Sequence, residues 1–346
     1  MRYFVQEHLD RTVYHGGIGN VDAEKIFLQK GFSPLRFPAH YDFSITGKFR
    51  RFFYLAKTVL GLPRNAVVYF QFPLYARMDG WLIRLLGFRK SVRIVCFLTD
   101  IDGIKDGDSS LLRREIRQLR RYACFIVHNE VMKQWLLSKT NPAVVETIDF
   151  FDFLSSPARL QRQKSYEIAF AGNLEKSGFL HSLSKLNETA PGLIFNVYGQ
   201  HPSAALLQQH NVSYRGFLPP YQLPEVLEGA FGLVWDGDAI EAPAGSLGDY
   251  MRYISPHKLS LYIMSGMPLI VCSQAAAALL VKKYKIGFGV ESLEDLQNAI
   301  AEISEENYRQ MAENTKQLAK AISAGQMLGH AIDEVTRKLA AGRTPR

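Results

Sequence analysis

Short apolar runs alternate with segments of helical period along the whole chain, and this alternation restricts the fold more than any other property. The runs are continuous rather than alternating, as in VVYFQ at 67–71, CFIV at 124–127 and FGLV at 231–234. A strand with one wetted face would show polar residues at every second position. A continuous run marks a strand buried on both faces, which is the pattern of parallel sheets covered by helices. In the first half strands are predicted at 3–6, 35–37, 67–71, 92–97, 124–127 and 144–147. In the second half they are predicted at 167–170, 193–197, 212–214, 231–234, 269–271 and 287–290. Helical patterns fill the gaps, and two long ones, at 307–324 and 326–339, close the sequence. The fold class is therefore α/β, built from stacked strand–helix units.

A chain of 346 residues accommodates two such domains. The divide is expected within 150–165, where Ser155-Ser156-Pro157 breaks the pattern and Gln161-Arg162-Gln163-Lys164 has no apolar period. This gives an N-terminal domain over 1–155, a C-terminal domain over 165–325, and a helix and tail over 326–346. In open α/β sheets ligands bind beyond the carboxyl ends of the strands, so the loops that follow strands are where function is sought.

Charge and cysteine usage narrow the classes. Residues 36–145 carry 19 Lys and Arg against 8 Asp and Glu, a net +11, which leaves about −3 for the rest of a chain of net +8. Arg113, Arg114, Arg117, Arg120 and Arg121 fall at helical spacing and form a basic ridge. No aromatic-basic interleaving or nucleic-acid module accompanies it, so no nucleic-acid partner is expected. The ridge reads either as a solvated face or as an attraction to an anionic membrane surface. No window holds about 18 uninterrupted apolar residues, and Gln6, Glu7 and His8 interrupt the apolar start, so neither a span nor a signal segment is expected. Cys96, Cys124 and Cys272 lie in apolar runs and read as buried thiols of a reduced cytoplasm. No Cys pair or His cluster has metal-ligand spacing, and neither a metal nor a cofactor is expected.

The most informative stretch is 231–271. A buried strand ends at Trp235, an acidic turn Asp236-Gly237-Asp238 and a long polar loop follow, and a helix opens at Ser255-Pro256-His257-Lys258. Ser255 is the expected N-cap, with Pro256 at the first helical position. His257 and Lys258 then lie beside the first N–H groups, where a lysine adds charge to an already positive helix end. An anion such as a diphosphate relieves this, and so does an ion pair with the neighbouring acids. Asp236, Asp238 and Glu241 admit a D-x-D metal reading as well as hydrogen bonds to sugar hydroxyls. Elsewhere, Phe97-Leu98-Thr99-Asp100-Ile101-Asp102 ends an apolar strand with two carboxylates, either of which suits a general base or a turn cap. The stretch after them, 103–109, reads as a loop. Gly172, Asn173 and Lys176 follow the first strand of the second half, and Tyr198 ends the next. His15, Gly16 and Gly17 form a glycine-rich turn between the first strand and first helix, a poor match to a dinucleotide fingerprint.

Asp236-Gly237-Asp238, Gly248-Asp249-Tyr250 and Pro256-His257-Lys258 together resemble bacterial β-1,6-galactofuranosyltransferases of surface-polysaccharide assembly and, more distantly, glucosyltransferases that modify adhesins. Phe97–Asp102, Ala171-Gly172-Asn173-Leu174, Glu306-Asn307-Tyr308 and Glu313-Asn314-Thr315-Lys316 extend the likeness from about Val67 to the last helix. The resemblance implies a GT-B glycosyltransferase: two Rossmann-like domains with parallel sheets facing a cleft, a UDP-sugar bound by the second, and no metal. It implies an inverting transfer of a hexose, most simply galactofuranose, to a glycan or lipid-linked glycan acceptor of O-antigen or capsule. Asp100 or Asp102 is then the base. His257, Lys258 and Lys176 face the diphosphate, with Gly172 and Asn173 beside them. Tyr198 lies at the uracil, Asp236 and Asp238 at the sugar, and the His15–Gly17 turn on the acceptor side. The alternatives are a metal-dependent transferase using another UDP-hexose and a non-catalytic nucleotide-sugar-binding partner protein. A homo-oligomer is compatible with either.

Overall fold

The computed structural model describes residues 1–9, 17–37, 44–74, 77–89 and 91–341, so His15 and Gly16 of the glycine-rich turn lie outside the described residues. The chain divides into two compact units. The first contains β1 (Arg2–Val5), β2 (Ser33–Leu35), β3 (Val67–Phe72), β4 (Arg93–Leu98), β5 (Cys124–Val127) and β6 (Val144–Thr147). They form one sheet in the order β2-β1-β3-β4-β5-β6, with every pairing parallel. The second contains β7 (Glu167–Ala171), β8 (Ile194–Tyr198), β9 (Val212–Gly216), β10 (Phe231–Val234), β11 (Leu269–Cys272) and β12 (Gly287–Val290). Their order is β12-β11-β10-β7-β8-β9, again wholly parallel. That is the doubly wound order in which the winding reverses beside the first strand, here between β7 and β10. The continuous apolar runs behave as their composition requires: every residue of β5, β10 and β11 is buried.

The units divide at Ile148 and Asp149 rather than within the polar stretch expected to link them. Residues 150–165 belong to the second unit because three phenylalanines lead them inward: Phe150, Phe151 and Phe153 are all buried. The backbone follows, with the Ala158 N–H donating to the Met264 carbonyl at 2.8 Å and the Arg162 guanidinium to the Leu227 carbonyl at 2.7 Å. The final helix, Gln326–Ala341, is not a separate tail either. From Leu328 onward it groups with the first unit, where Lys30 pairs with Asp333 at 2.6 Å and Lys338 pairs with Glu146.

Two short helices were invisible to periodicity. Asp102–Lys105 forms one turn within the stretch read as a loop, and Gly245–Tyr250 forms another within the polar loop after β10. Neither is long enough to show a 3.6-residue repeat. The helix His257–Met264 is present, but its N-cap residue is Pro256, with no side-chain cap. Ser255 is one position too early for that role and is buried instead.

Gly232 in β10 sets the packing above the second sheet. A Cβ there would lie 2.2 Å from Cγ of Tyr262, whose ring is wholly buried and whose hydroxyl accepts the Ala171 N–H at 2.9 Å. Gly232→Ala therefore forces the ring out of its seat, and overpacking of this kind costs about 1–3 kcal/mol. Thermal unfolding should show the midpoint lowered by several degrees. An unchanged midpoint would mean that Tyr262 repacks without loss.

Candidate active site

In the second unit the loops after β7, β8 and β9 and the start of the helix His257–Met264 enclose a cavity of about 320 Å³. Gly172 and Asn173 follow β7, Tyr198 ends β8 with Gly199 next to it, and Phe217 and Leu218 follow β9. Pro256, His257 and Lys258 close it from the helix N-terminus, while Ile18, Phe153 and Leu261 add apolar wall. The cavity thus lies at the carboxyl edge of the sheet, next to the β7–β10 reversal where doubly wound folds hold ligands.

Lys258 is the charged centre of this wall. Its ammonium pairs with Asp236 at 2.6 Å, lies 3.5 Å from the Trp235 carbonyl, and sits 4.4 Å from the centre of the Phe170 ring. Of the two ways to relieve a lysine at this helix end, the ion pair with a neighbouring acid is present, because Asp236 supplies the negative charge. Glycine at 172 gives the lysine stem its room: a Cβ there would come within 2.9 Å of Lys258 Cε. His257 is sandwiched by rings, its centre 5.7 Å from Phe151 and 5.3 Å from Phe153. Gly19, near the start of the first helix, approaches the same imidazole so closely that a Cβ would meet Cδ2 at 2.9 Å. Gly17 precedes it, half-buried, and both belong to the second unit.

The remaining predicted residues fall in different places. Asn173 accepts the Glu175 N–H at 3.0 Å and so caps the turn Leu174–Lys176. Lys176 ends that turn on the exposed surface and does not line the cavity. Tyr198 lines it, yet its hydroxyl is engaged elsewhere, accepting the Glu228 N–H at 2.9 Å and donating to the Val226 carbonyl at 3.3 Å. Asp238 is exposed, and its carboxylate lies against Gly178 and Gly245, where a Cβ would come within 2.6 and 2.7 Å of its oxygens. Glu241 pairs with Lys185 at 3.3 Å. Asp236 and Asp238 therefore differ in role, one bound to a lysine and the other packed between two glycines.

Asp100 and Asp102 lie in the first unit, just past β4. Lys105 pairs with both, reaching Asp102 at 3.1 Å. Burial pulls its ammonium down, but the two carboxylates outweigh this and hold it above the usual lysine value. The Asp100 carboxylate also accepts the Ile101 N–H at 3.2 Å, while Asp102 opens the short helix Asp102–Lys105. Behind them stands Glu115, which sequence reasoning passed over because it lies inside the arginine ridge. It is buried and accepts the N–H groups of Asp102 at 3.1 Å and Gly103 at 2.8 Å. Burial pushes its carboxyl up to about 7 against those two bonds, with Asp102 and Asp100 adding to the rise. His128 contacts the Thr99 carbonyl at 3.1 Å, and burial lowers its imidazole to about 4. A second missed carboxyl, Glu24, accepts the N–H groups of Glu7, His8 and Leu9 at 2.7, 3.0 and 2.9 Å and is likewise raised by burial to about 7. Its signal was a charged residue on the buried side of the helix Ile18–Gln29.

The N-terminal domain model of the glucosyltransferase 3-like family matches residues 3–146, and the C-terminal domain model matches 168–335. The chain is 29% identical to the β-1,6-galactofuranosyltransferase WbbI of Escherichia coli K12 over 294 residues, 81% of this chain and 82% of that protein. It is 27% identical to glucosyltransferase 3 of Streptococcus gordonii over 317 residues, 89% and 90% of the two. Among solved structures it resembles sucrose-phosphate synthase from Thermosynechococcus elongatus, with TM-score 0.64, 13% identity and 99% of both chains covered. HepE of Anabaena, solved with UDP and glucose, gives TM-score 0.61 at 13% identity, covering 98% of this chain and 99% of that one. These likenesses show the GT-B fold, with its two Rossmann-like units.

The raised carboxyls fix a pH dependence. Glu24 and Glu115 rise from an ordinary value of 4.5 to about 7, so between these limits the folded chain binds more protons than the unfolded one. Stability then falls as pH rises through that window, and the contribution is fully present only below it. Melting temperature should decline from pH 5 to pH 8. Glu115→Gln should melt lower throughout, since an amide oxygen replaces only one of two acceptors, but with a shallower decline. An equal slope in wild type and variant would show that Glu115 does not titrate there.

Proposed function

Because the chain belongs to the glucosyltransferase 3-like family of glycosyltransferases, we propose that it moves a hexose from a UDP-sugar to a sugar acceptor with inversion, in surface-polysaccharide assembly. The observation that carries this reading is the cavity at the β7–β10 reversal, with a lysine in the first turn of a helix and a largely apolar wall. An entering diphosphate meets the helix N-terminus and the Lys258 ammonium, and competes with Asp236 for that cation. No metal is required for this charge balance, because cation and helix end neutralise the departing UDP together. Asp236, displaced from Lys258, and Asp238 are then available to sugar hydroxyls. The Tyr198 face lines the slot for the uracil.

WbbI makes galactofuranose the first donor sugar to test. Glucose is the second reading, favoured by the likeness to glucosyltransferase 3 over nine-tenths of the chain. A β-linked product from an α-linked donor requires a base for the acceptor hydroxyl, and Asp100 with Asp102 supplies the carboxylates. Lys105, shared between them, holds both until a hydroxyl replaces one contact.

Purified protein incubated with UDP-galactofuranose and UDP-glucose, followed by UDP release, tests the reaction. Background turnover with either, alongside a UDP-induced rise in melting temperature, would favour the non-catalytic binding protein. Turnover should survive EDTA, and a loss restored by Mg²⁺ or Mn²⁺ would make Asp236 and Asp238 metal ligands. Ligand at 100 times its dissociation constant stabilises the native state by about 2.7 kcal/mol. Lys258→Ala should lose most of the UDP-induced shift, whereas Asp236→Asn, which frees the lysine, should keep or enlarge it. Equal losses in the two variants would mean that the ion pair supports the cavity without touching the diphosphate.

General-base assistance is typically worth about 10² to 10⁴ in rate. Asp100→Asn should reduce turnover by that order with the UDP shift unchanged. Should Asp102→Asn do so instead, the two roles are exchanged, and near-normal turnover in both places the base elsewhere.

A further inference from the structure

The helix Ile45–Gly61 turns its apolar face outward. Among its described side chains, only Gly47 and Leu55 are fully buried, with Arg51, Ala56, Thr58 and Val59 half-buried. Phe49, Phe52, Phe53 and Leu60 are 70%, 69%, 71% and 81% exposed. With Ala56 they occupy positions i, i+3, i+4, i+7 and i+11, a stripe about 100° wide running the length of the helix. Lys48 borders one side of the stripe, and Arg50 and Lys57 border the other, all three exposed. The following helix, Arg77–Gly87, packs beside it and adds Trp81, 56% exposed. Phe88, 85% exposed, lies next to Arg89, whose guanidinium donates to the Val59 carbonyl.

We propose that this helix is an interfacial anchor, laying its aromatic stripe into the headgroup region of an anionic lipid bilayer. Four exposed large apolar side chains on one face exceed what a solvated helix carries, and cations along both borders are the arrangement that a negative surface selects. Between Asp42 and Asp79 the sequence holds six Lys and Arg and no Asp or Glu. A second copy presenting the same face would set these cations against one another, which argues for lipid over self-association. The arginine ridge of the helix Ser109–Leu119 offers charge alone: no large apolar residue between Phe88 and Leu137 is among the exposed ones. Among the described residues no helix is long and apolar enough to cross a membrane, so attachment here means lying on the surface. The inference is independent of which sugar the protein transfers.

Flotation with vesicles of phosphatidylglycerol and phosphatidylethanolamine, compared with phosphatidylcholine alone, tests it on the full chain. Wild type should float with the anionic vesicles and not with the neutral ones. The double variant F49S/F53S should bind at least on the order of tenfold more weakly, from lost apolar burial. R50E/K57E should lose on the order of 30-fold, from about 1 kcal/mol for each cation at the surface. R113E/R114E/R117E should bind like wild type. All four side chains substituted outside the ridge are exposed, and an unchanged melting temperature confirms folding. Failure of wild type to float, or flotation lost in the ridge variant and kept in F49S/F53S, would overturn the proposal. So would a wild-type dimer that F49S/F53S converts to monomer with no vesicle binding in either.

Discussion

A parallel sheet cannot be closed by hairpins. Each strand must be followed by a crossover that returns the chain to the starting edge, so every crossover begins at the same carboxyl edge. With both sheets wholly parallel, the residues after the strands of each unit gather along one line although they lie far apart in sequence. In the second unit the winding reverses between β7 and β10, and the crossovers on either side of that point leave in opposite directions. The resulting crevice brings Gly172 close to Lys258, and Lys258 to Asp236, which stand after β7, before β11 and after β10. Most of what the cavity presents follows from that reversal.

Both units place a lysine on the carboxylates at strand ends. Lys258 sits on Asp236 over the Phe170 ring, and Lys105 sits between Asp100 and Asp102. The pairs are partly buried, with side-chain exposures of 16% and 23% for the first, and 26%, 27% and 20% for the second. At such depth a charge left unpaired is costly, while a pair is still reachable from water. A polar ligand can therefore exchange with one member of each pair without exposing or stranding a charge. An isolated lysine at a helix N-terminus would bind anions more tightly but would strain the unliganded fold.

The strands were legible because burial on both faces leaves a continuous apolar run that no other element imitates at that length. Their observed ends differ from the expected ones by at most two residues. The short helices Asp102–Lys105 and Gly245–Tyr250 were not legible, since a single turn has no period to detect. The divide between units falls just before the expected stretch for a related reason. The polar stretch at 161–164 has no repeat, yet the Arg162 guanidinium is held by the second unit, and only the preceding Phe150, Phe151 and Phe153 signalled that. Tertiary pairings were the least legible. The likeness to known transferases marked Lys258 and Asp236 separately, but their distance from each other is a property of the fold. Glu115 was hidden because a carboxylate that accepts backbone N–H groups looks in sequence like any surface acid.

The outward stripe of the helix Ile45–Gly61 shows why helical pattern and burial must be read separately. Hydrophobic periodicity establishes that a helix has two faces, and by convention assigns the apolar one to the core. Here that assignment fails, because the face turned to the unit is narrow and built on Gly47 and Leu55. Helices in water owe most of their stability to packing of the apolar face, since nucleation is unfavourable and propagation gains little per residue. A seventeen-residue helix that leaves its phenylalanines in solvent lacks much of that support. On the proposed reading its apolar stripe is buried against a surface outside the described residues, and the flanking cations favour one of negative charge.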